Sequence, residues 1–382
     1  MTMRITRREL VQRGAAGVTI LSLPGLLAAC GGSSSGGGGS GEVADTLRFS
    51  NWPLYIDYDE KTKTHPTLDA FTKQTGIKVD YFEDINSNPE YFGKIQGPLS
   101  QGRGIDRDII VLTDNERFLG LMLDKGWVEP LDKDKIPNIS NLIDAQASPP
   151  FDPDRKYTLP WQSGMTGIAW NGGVTGEVSS ITQLFEDPKL KGKVTALNNM
   201  ADTMGLVMLD NGDDPAKVTD ETWNRAIERV QSAVDSGQIR RFTGNDYAQP
   251  LTKGDLSAVI GWSCDIFQLL SSNDKLRWKL PPKGGMIWTD NMLIPTDGSA
   301  ATASTYMNFV YDPKIAAQIA AYVAYVPPVK GTQEEMKKLD PTLANNPLVF
   351  PPDADLAKTH QFDPAAQNNQ TYIEQWQKVL GA

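Results

Sequence analysis

The chain has 382 residues, 40% of them hydrophobic and 22% charged, and 47 Asp and Glu against 37 Lys and Arg leave a formal net charge of −10. These values exclude a disordered chain, a collagen-like repeat and a protein built of many membrane spans. They also make the chain a poor partner for nucleic acid, because phosphate contacts need a basic face. At roughly 150 residues per domain, two domains are expected. Two cysteines, Cys30 and Cys264, and two histidines, His65 and His360, are too few for a Cys/His structural zinc site, so no metal is expected.

The first segment is basic, with Arg4, Arg7, Arg8 and Arg13. An apolar run from Gly14 to Ala29 follows, broken by Pro24 and too short for a comfortable bilayer span. Basic start, short apolar run and small residues before a break read as a signal peptide over residues 1–29. Arg7-Arg8 before Glu9-Leu10-Val11 resembles the twin-arginine export signal. Leu27-Ala28-Ala29-Cys30 resembles the lipobox of bacterial lipoproteins, which implies cleavage before Cys30 and a diacylglycerol on its thiol. Lipidation explains Cys30 better than a disulfide to Cys264, the default pairing in an exported protein. Residues 30–45, with the Gly/Ser tract from Gly31 to Gly41, read as a tether whose reach is about 20 Å for roughly 12 residues. Cys264 is then expected to be buried and inert.

The body opens with an alternating strand, Thr46 to Ser50. Leu68 to Thr75 predicts a helix closed by Gly76, Ile77 to Phe82 a strand, and Tyr91 to Gly102 a helix. Ile109 to Leu112 is a continuous apolar run, typical of a strand buried on both faces. Glu116 to Asp124 predicts a helix ended by Gly126. Gly126 to Pro160, rich in Pro, Asp and Asn, reads as surface loop with one short helix. Alternation then resumes, with strands at Thr166 to Trp170, Val194 to Leu197, Leu256 to Trp262 and Met286 to Trp288. Helices are predicted near Met204 to Leu209, at Glu221 to Ser236 with Thr219 or Asp220 as cap, at Ala300 to Phe309, at Pro313 to Val323 and at Tyr372 to Leu380. No repeat of 20–50 residues is present. Strand–helix alternation of this kind argues for two α/β lobes with parallel sheets.

Enzyme signatures are missing. There is no phosphate-binding Gly-Lys loop and no dinucleotide fingerprint. Gly261-Trp-Ser-Cys-Asp265 lacks the closing glycine of a nucleophile elbow. His65 and His360 read as surface histidines rather than bases. The aromatic residues are more informative, because several fall where strands should end: Trp52 and Tyr55, Trp262, Trp288 with Asp290, and Tyr325. Open α/β sheets bind ligands outside the carboxyl ends of their strands. Rings and carboxylates placed there suit a flexible, cationic, partly apolar chain, since ring faces cover methylenes and attract ammonium groups.

At Asn51-Trp52 and at Gly284-Gly-Met-Ile-Trp-Thr-Asp290 the chain resembles the spermidine/putrescine-binding receptors of bacterial ABC importers. The likeness also runs through Phe71-Thr-Lys-Gln-Thr-Gly-Ile-Lys-Val79, Asp108-Ile-Ile-Val111, Gly126-Trp-Val-Glu-Pro-Leu131, Tyr157-Thr-Leu-Pro160, Trp262 and Asp312-Pro313. It implies a class II periplasmic-binding-protein fold, two α/β lobes joined by crossing hinge segments with the ligand in the cleft. Lobe 1 is expected to comprise 46–162 plus 288–334, and lobe 2 to comprise 163–287 plus 335–382. The implied protein performs no chemistry and needs no cofactor. It is a monomer, lipid-anchored on the outer side of the cell membrane, that carries a small polyamine cation to a membrane permease.

The resemblance also implies a site. Trp52 and Tyr55 match the aromatic pair after the first strand, Trp262 and Trp288 the two tryptophans that sandwich the chain, and Asp290 the carboxylate that holds an amine. Tyr325 matches a further aromatic wall and Thr113 a small hydroxyl residue. Asn115 stands where the family has a tyrosine. Asn199 and Asp202 stand where it has an acidic pair three residues apart. Asp265 is expected to compensate for the lost carboxylate, and Asp363 aligns loosely near the C-terminus. Fewer carboxylates favour a shorter diamine, or an amine carrying polar groups, over spermidine. The alternatives are the same fold binding another solute, such as a sugar or amino-acid derivative, and a secreted hydrolase, which would need a carboxylate pair with one raised pKa.

Overall fold

The computed structural model describes residues 42–85, 88–270 and 272–381. The expected signal peptide, the lipobox with Cys30 and most of the tether lie outside the described residues. The strands are β1 (Thr46–Asn51), β2 (Lys78–Glu83), β3 (Ile109–Thr113), β4 (Val128–Glu129), β5 (Thr158–Asn171), β6 (Val194–Leu197), β7 (Ile239–Thr243), β8 (Ala258–Trp262), β9 (Leu276–Lys279), β10 (Gly285–Pro295) and β11 (Thr359–His360). They run in the order β2-β1-β3-β10-β5-β8-β6-β7, with β4 and β11 also pairing with β10, and β9 with β5.

β1 is parallel to β2 and β3, and β6 is parallel to β7 and β8. β5 and β10 run antiparallel to each other between these two parallel sets. Each set carries its own apolar core. One core is built on β1 and β3 and includes Phe49, Phe71, Leu119, Trp161, Met292 and Tyr306. The other is built on β6 and β8 and includes Ile168, Leu197, Val207, Trp223, Ile260 and Trp376.

β5 and β10 belong to both. Leu159 and Trp161 of β5 lie in the first core, whereas Ile168, Ala169 and Trp170 lie in the second. Met286 of β10 lies in the second core, and Met292 to Ile294 lie in the first. The molecule therefore has two lobes joined by two long strands. The crossing falls near 162–167 on one strand and 287–291 on the other. At the crossing the pairing slips between Asp290 and Asn291. Such a slip bends the strand and re-aims a side chain. Gly164 is required here, because a Cβ at this position would collide with the indole of Trp288 on β10.

Most predicted elements occur within a few residues of their expected ends. Gly76 closes the helix Pro66–Thr75 with φ of 79°. Thr219 caps the helix Asp220–Asp235 in a capping box with Thr222. Cys264 is fully buried, and burial pushes its thiol pKa well up. Three differences have physical causes. The predicted strand Thr166 to Trp170 is only the second half of β5, because the first half, with Gln162 and Ser163, does not look apolar yet is buried throughout. The segment read as surface loop from 126 to 160 is pinned from inside. Arg155, 4% exposed, donates to Thr158 and Asn291 and to the carbonyl of Gln146, and Asp152 accepts from the backbone amides of Lys156, Tyr157 and Thr158. Finally, residues 336–350, expected with lobe 2, share a third small core with the helix Pro313–Val323. Met336, Leu343 and Val349 pack there on Ala320 and Ala324, touched by Phe267.

Candidate functional site

The crossing brings together side chains from both lobes. On the first lobe, β1 ends just before Trp52 and Tyr55, and β3 ends at Thr113, followed by Asn115 and Glu116. On the second, the helix Met200–Asn211 presents Asp202 in its first turn, and β8 ends at Trp262. β10 supplies Trp288 and Asp290 from the crossing itself.

Asp290 is 4% exposed. Tyr55 donates its hydroxyl to one carboxylate oxygen at 2.6 Å, and Thr113 donates to the other at 2.6 Å. Asp202 is fully buried and accepts from Asn115 at 3.1 Å, from Thr166 at 2.9 Å and from the Trp262 indole at 2.9 Å. The Trp288 indole donates to Thr166 at 3.1 Å, so Trp288 and Asp202 are joined through one hydroxyl. The bond from Asn115 to Asp202 crosses from lobe to lobe.

Rings line the same space. Trp262 and Trp288 lie edge to face with centroids 6.5 Å apart. Trp288 meets Tyr325 at 5.9 Å, and Tyr325 meets Tyr55 at 4.8 Å. In an edge-to-face pair one ring's edge covers a face of the other, and a face left uncovered is where a cation or a methylene chain can rest.

Burial raises the Asp290 and Asp202 pKa values to about 6, against the opposing pull of the hydrogen bonds they accept. Glu116, half-buried, is a third carboxylate in the cluster. Its pKa is raised to about 7 by burial first, with the charges of Asp202 and Asp290 adding to it. Asn88 donates to both Thr113 and Glu116, linking Glu116 to the Asp290 side of the site. Among the described residues none of these three carboxylates forms an ion pair with Lys or Arg. Uncompensated buried charge is costly, which is why these carboxylates titrate above their ordinary range. Among the described residues no group of three or more His, Cys, Asp or Glu is placed to hold a metal ion.

The other expected residues divide. Asn199 caps the helix Met200–Asn211 by accepting from the amide of Asp202 at 3.0 Å, so it positions that carboxylate. Asp265 is buried and accepts from the Tyr247 hydroxyl at 2.9 Å, and that hydroxyl accepts from the Trp262 amide at 3.1 Å. Asp265 is thus joined to the ring wall through Tyr247. Trp52 is half-buried against the first core and donates its indole to the Val111 carbonyl at 3.2 Å. Asp363 is not in the cluster: it caps the helix Pro364–Gln367 and accepts from the Val218 amide, because an Asp before Pro-Ala satisfies a free helix amide locally. Sequence reasoning missed Asn88, Glu116, Thr166 and Tyr247. Glu116 had one legible signal, its place just after Asn115 beyond a buried strand.

Two α/β lobes with an aromatic, carboxylate-lined site at their crossing define a receptor that closes on a small solute. The profile of the bacterial extracellular solute-binding protein family matches residues 67–351, and the chain belongs to that family. It is 25% identical to the spermidine/putrescine-binding periplasmic protein of Escherichia coli, over 88% of this chain and 91% of that protein. It is 27% identical to the putrescine-binding periplasmic protein PotF of the same organism, over 80% and 83%. Among solved structures, the spermidine/putrescine substrate-binding protein PotD of Streptococcus pneumoniae superposes with a TM-score of 0.72 at 22% identity, covering 88% of this chain and 97% of that one. The PotD lipoprotein of Treponema pallidum superposes with a TM-score of 0.74 at 19% identity, over 88% and 100%. Among the described residues no helix is long and apolar enough to cross a membrane.

Proposed function

We propose that this protein is an extracytoplasmic receptor of an ABC importer that binds a linear polyamine cation between its lobes and delivers it to a membrane permease. One observation carries this reading: Asp290 and Asp202 are buried carboxylates without a basic partner among the described residues, set along one chain of aromatic rings. A flexible polycation supplies the missing charges, and its methylenes cover the ring faces. The polyamine receptors among its relatives support the same ligand class. In this reading Trp262, Trp288, Tyr325 and Tyr55 form the wall, Thr113 and Asn199 orient the carboxylates, Asp265 supports the wall through Tyr247, and Trp52 closes the first-lobe side after β1. The receptor does no chemistry on its ligand. Lobe 1 (46–162 with 288–334) and lobe 2 (163–287 with 335–382) move against each other, except that 336–350 travel with the helix on which they pack. A lipid on Cys30 keeps a monomeric body near the permease.

The test is a titration of the protein from residue 42 onward with putrescine, spermidine, spermine, amino acids and sugars, read by thermal shift and tryptophan fluorescence. A ligand present at a hundred times its Kd should add about 2.7 kcal/mol of stability. Response to an amine that is lost in Asp290→Ala supports the proposal. Response to a sugar or an amino acid alone overturns it.

A further inference from the structure

Asn115 and Asp202 belong to different lobes, and the Asn115 amide donates to the Asp202 carboxylate at 3.1 Å. Both partners are firmly mounted. On the first lobe, the residues flanking Asn115 are tied down. The Asp114 amide donates to the Thr289 carbonyl of β10 at 2.9 Å, and the Asp114 carboxylate accepts from the Thr289 amide at 2.8 Å. Asn88 donates to both Thr113 and Glu116 and accepts from the Thr113 amide at 3.3 Å. On the second lobe, Asp202 sits in the first turn of a capped helix and also accepts from Thr166 and the Trp262 indole. Thr166 in turn accepts from the Trp288 indole. The interlobe bond thus ends on the carboxylate that ties both tryptophans of the wall together.

Asn115 is 7% exposed, and its Oδ1 is buried with no partner among the described residues. A buried acceptor without a donor is unfavourable, so the bond at the other end of the amide is what keeps this side chain in place. Beside Asn115 the lobes face each other across a groove of about 390 Å³, with Pro89 and Phe118 on one side and Met200, Ile373 and Trp376 on the other. Neither Asp290 nor a ring of the wall lines that groove, so Asn115 stands at the seam between the lobes. We propose that Asn115 is an interlobe clasp, a positioning residue that holds the lobes together through Asp202 and makes no contact with the ligand. Its effect on affinity rests on the receptor reading above. A clasp changes only the fraction of molecules in the closed form, so it scales the affinity for every ligand by one factor. A residue that touches the ligand changes affinities ligand by ligand.

Calorimetry of putrescine and spermidine on the purified protein, Asn115→Ala and Asn115→Asp tests this, with thermal melts to confirm that each variant folds. Asn115→Ala should weaken both amines about fivefold or more, by factors that agree within about twofold. Asn115→Asp should weaken them further, because it sets two carboxylates against each other across the seam. Were the ligand to reach position 115, the added carboxylate would tighten amine binding instead. Small-angle scattering without amine reads the clasp separately: Asn115→Asp should have a larger radius of gyration than the parent. No loss in Asn115→Ala, a loss confined to one amine, tighter binding in Asn115→Asp, or equal radii each overturns the clasp and leaves the receptor reading standing. Failure of every amine to bind the parent, with the radius still larger in Asn115→Asp, overturns the polyamine reading and supports the clasp.

Discussion

Asp290 and Asp202 are ordinary aspartates made unusual by burial, and this makes the site sensitive to pH. Their pKa values lie at about 6 in the folded protein, above the ordinary carboxylate value, and Glu116 lies at about 7. The folded state therefore holds more protons than the unfolded chain between about pH 4 and 7, and stability falls as pH rises through that window. The ligand-free protein should show a higher Tm near pH 5 than near pH 7.5, as far as these three groups decide it. A cation needs the ionised carboxylates, so affinity should move the other way and rise from pH 5 to 7.5. Calorimetry at pH 5.5 in buffers of different ionisation enthalpy should detect protons released on binding; no release would contradict the charge pairing. Asp290→Asn keeps the shape and removes the charge, and should cost about tenfold or more in affinity. At this scale the sequence was partly legible. Trp288 and Asp290 stood out through their motif and Glu116 through its place beyond a buried strand, whereas Asn88 and Thr166 gave no pattern, because their roles depend on a neighbour distant in the chain.

Two elements hold the site in shape, a long strand pair and a helix start. β5 must run within ring contact of Trp288, which leaves no room for a side chain at 164. Gly164→Ala should displace Trp288, destabilise the protein by about 1–3 kcal/mol and weaken amine binding, as read by denaturant melts and tryptophan fluorescence. At the start of the helix Met200–Asn211, Asn199 satisfies the amide of Asp202. Asn199→Ala should cost about 1 kcal/mol in stability and loosen the carboxylate, with a measurable loss of affinity. A larger effect on stability than on binding would show Asn199 to be a helix cap and little more. Helices with clear apolar spacing and good caps, such as Asp220–Asp235, were read closely from sequence. β5 was half missed, since a strand buried on both faces by polar and small residues carries no alternation.

For the whole molecule, the lobes meet across the cluster, and Asn115 reaches over to Asp202. A ligand that touches both lobes stabilises the closed form by its extra contacts there. Small-angle scattering should show a smaller radius of gyration with a bound polyamine, and Asp290→Asn should need more ligand to reach it. No compaction with saturating amine would contradict a hinge mechanism. The helix Pro313–Val323 and residues 336–350 form one body beside the hinge, which gives the crossing a rigid flank.

By itself, the sequence determined the α/β class, most of the elements, and the aromatic and acidic residues from which a cation site is made. These follow from local physics: apolar spacing, caps, and the chemistry that each side chain carries wherever it lies. Only the tertiary structure decided that Asp202, Asp290 and Glu116 lie together, and that Asp363 caps a helix away from them. Those facts depend on how β5 and β10 cross between two cores. A crossing is set by contacts between residues more than a hundred positions apart, which no local pattern encodes.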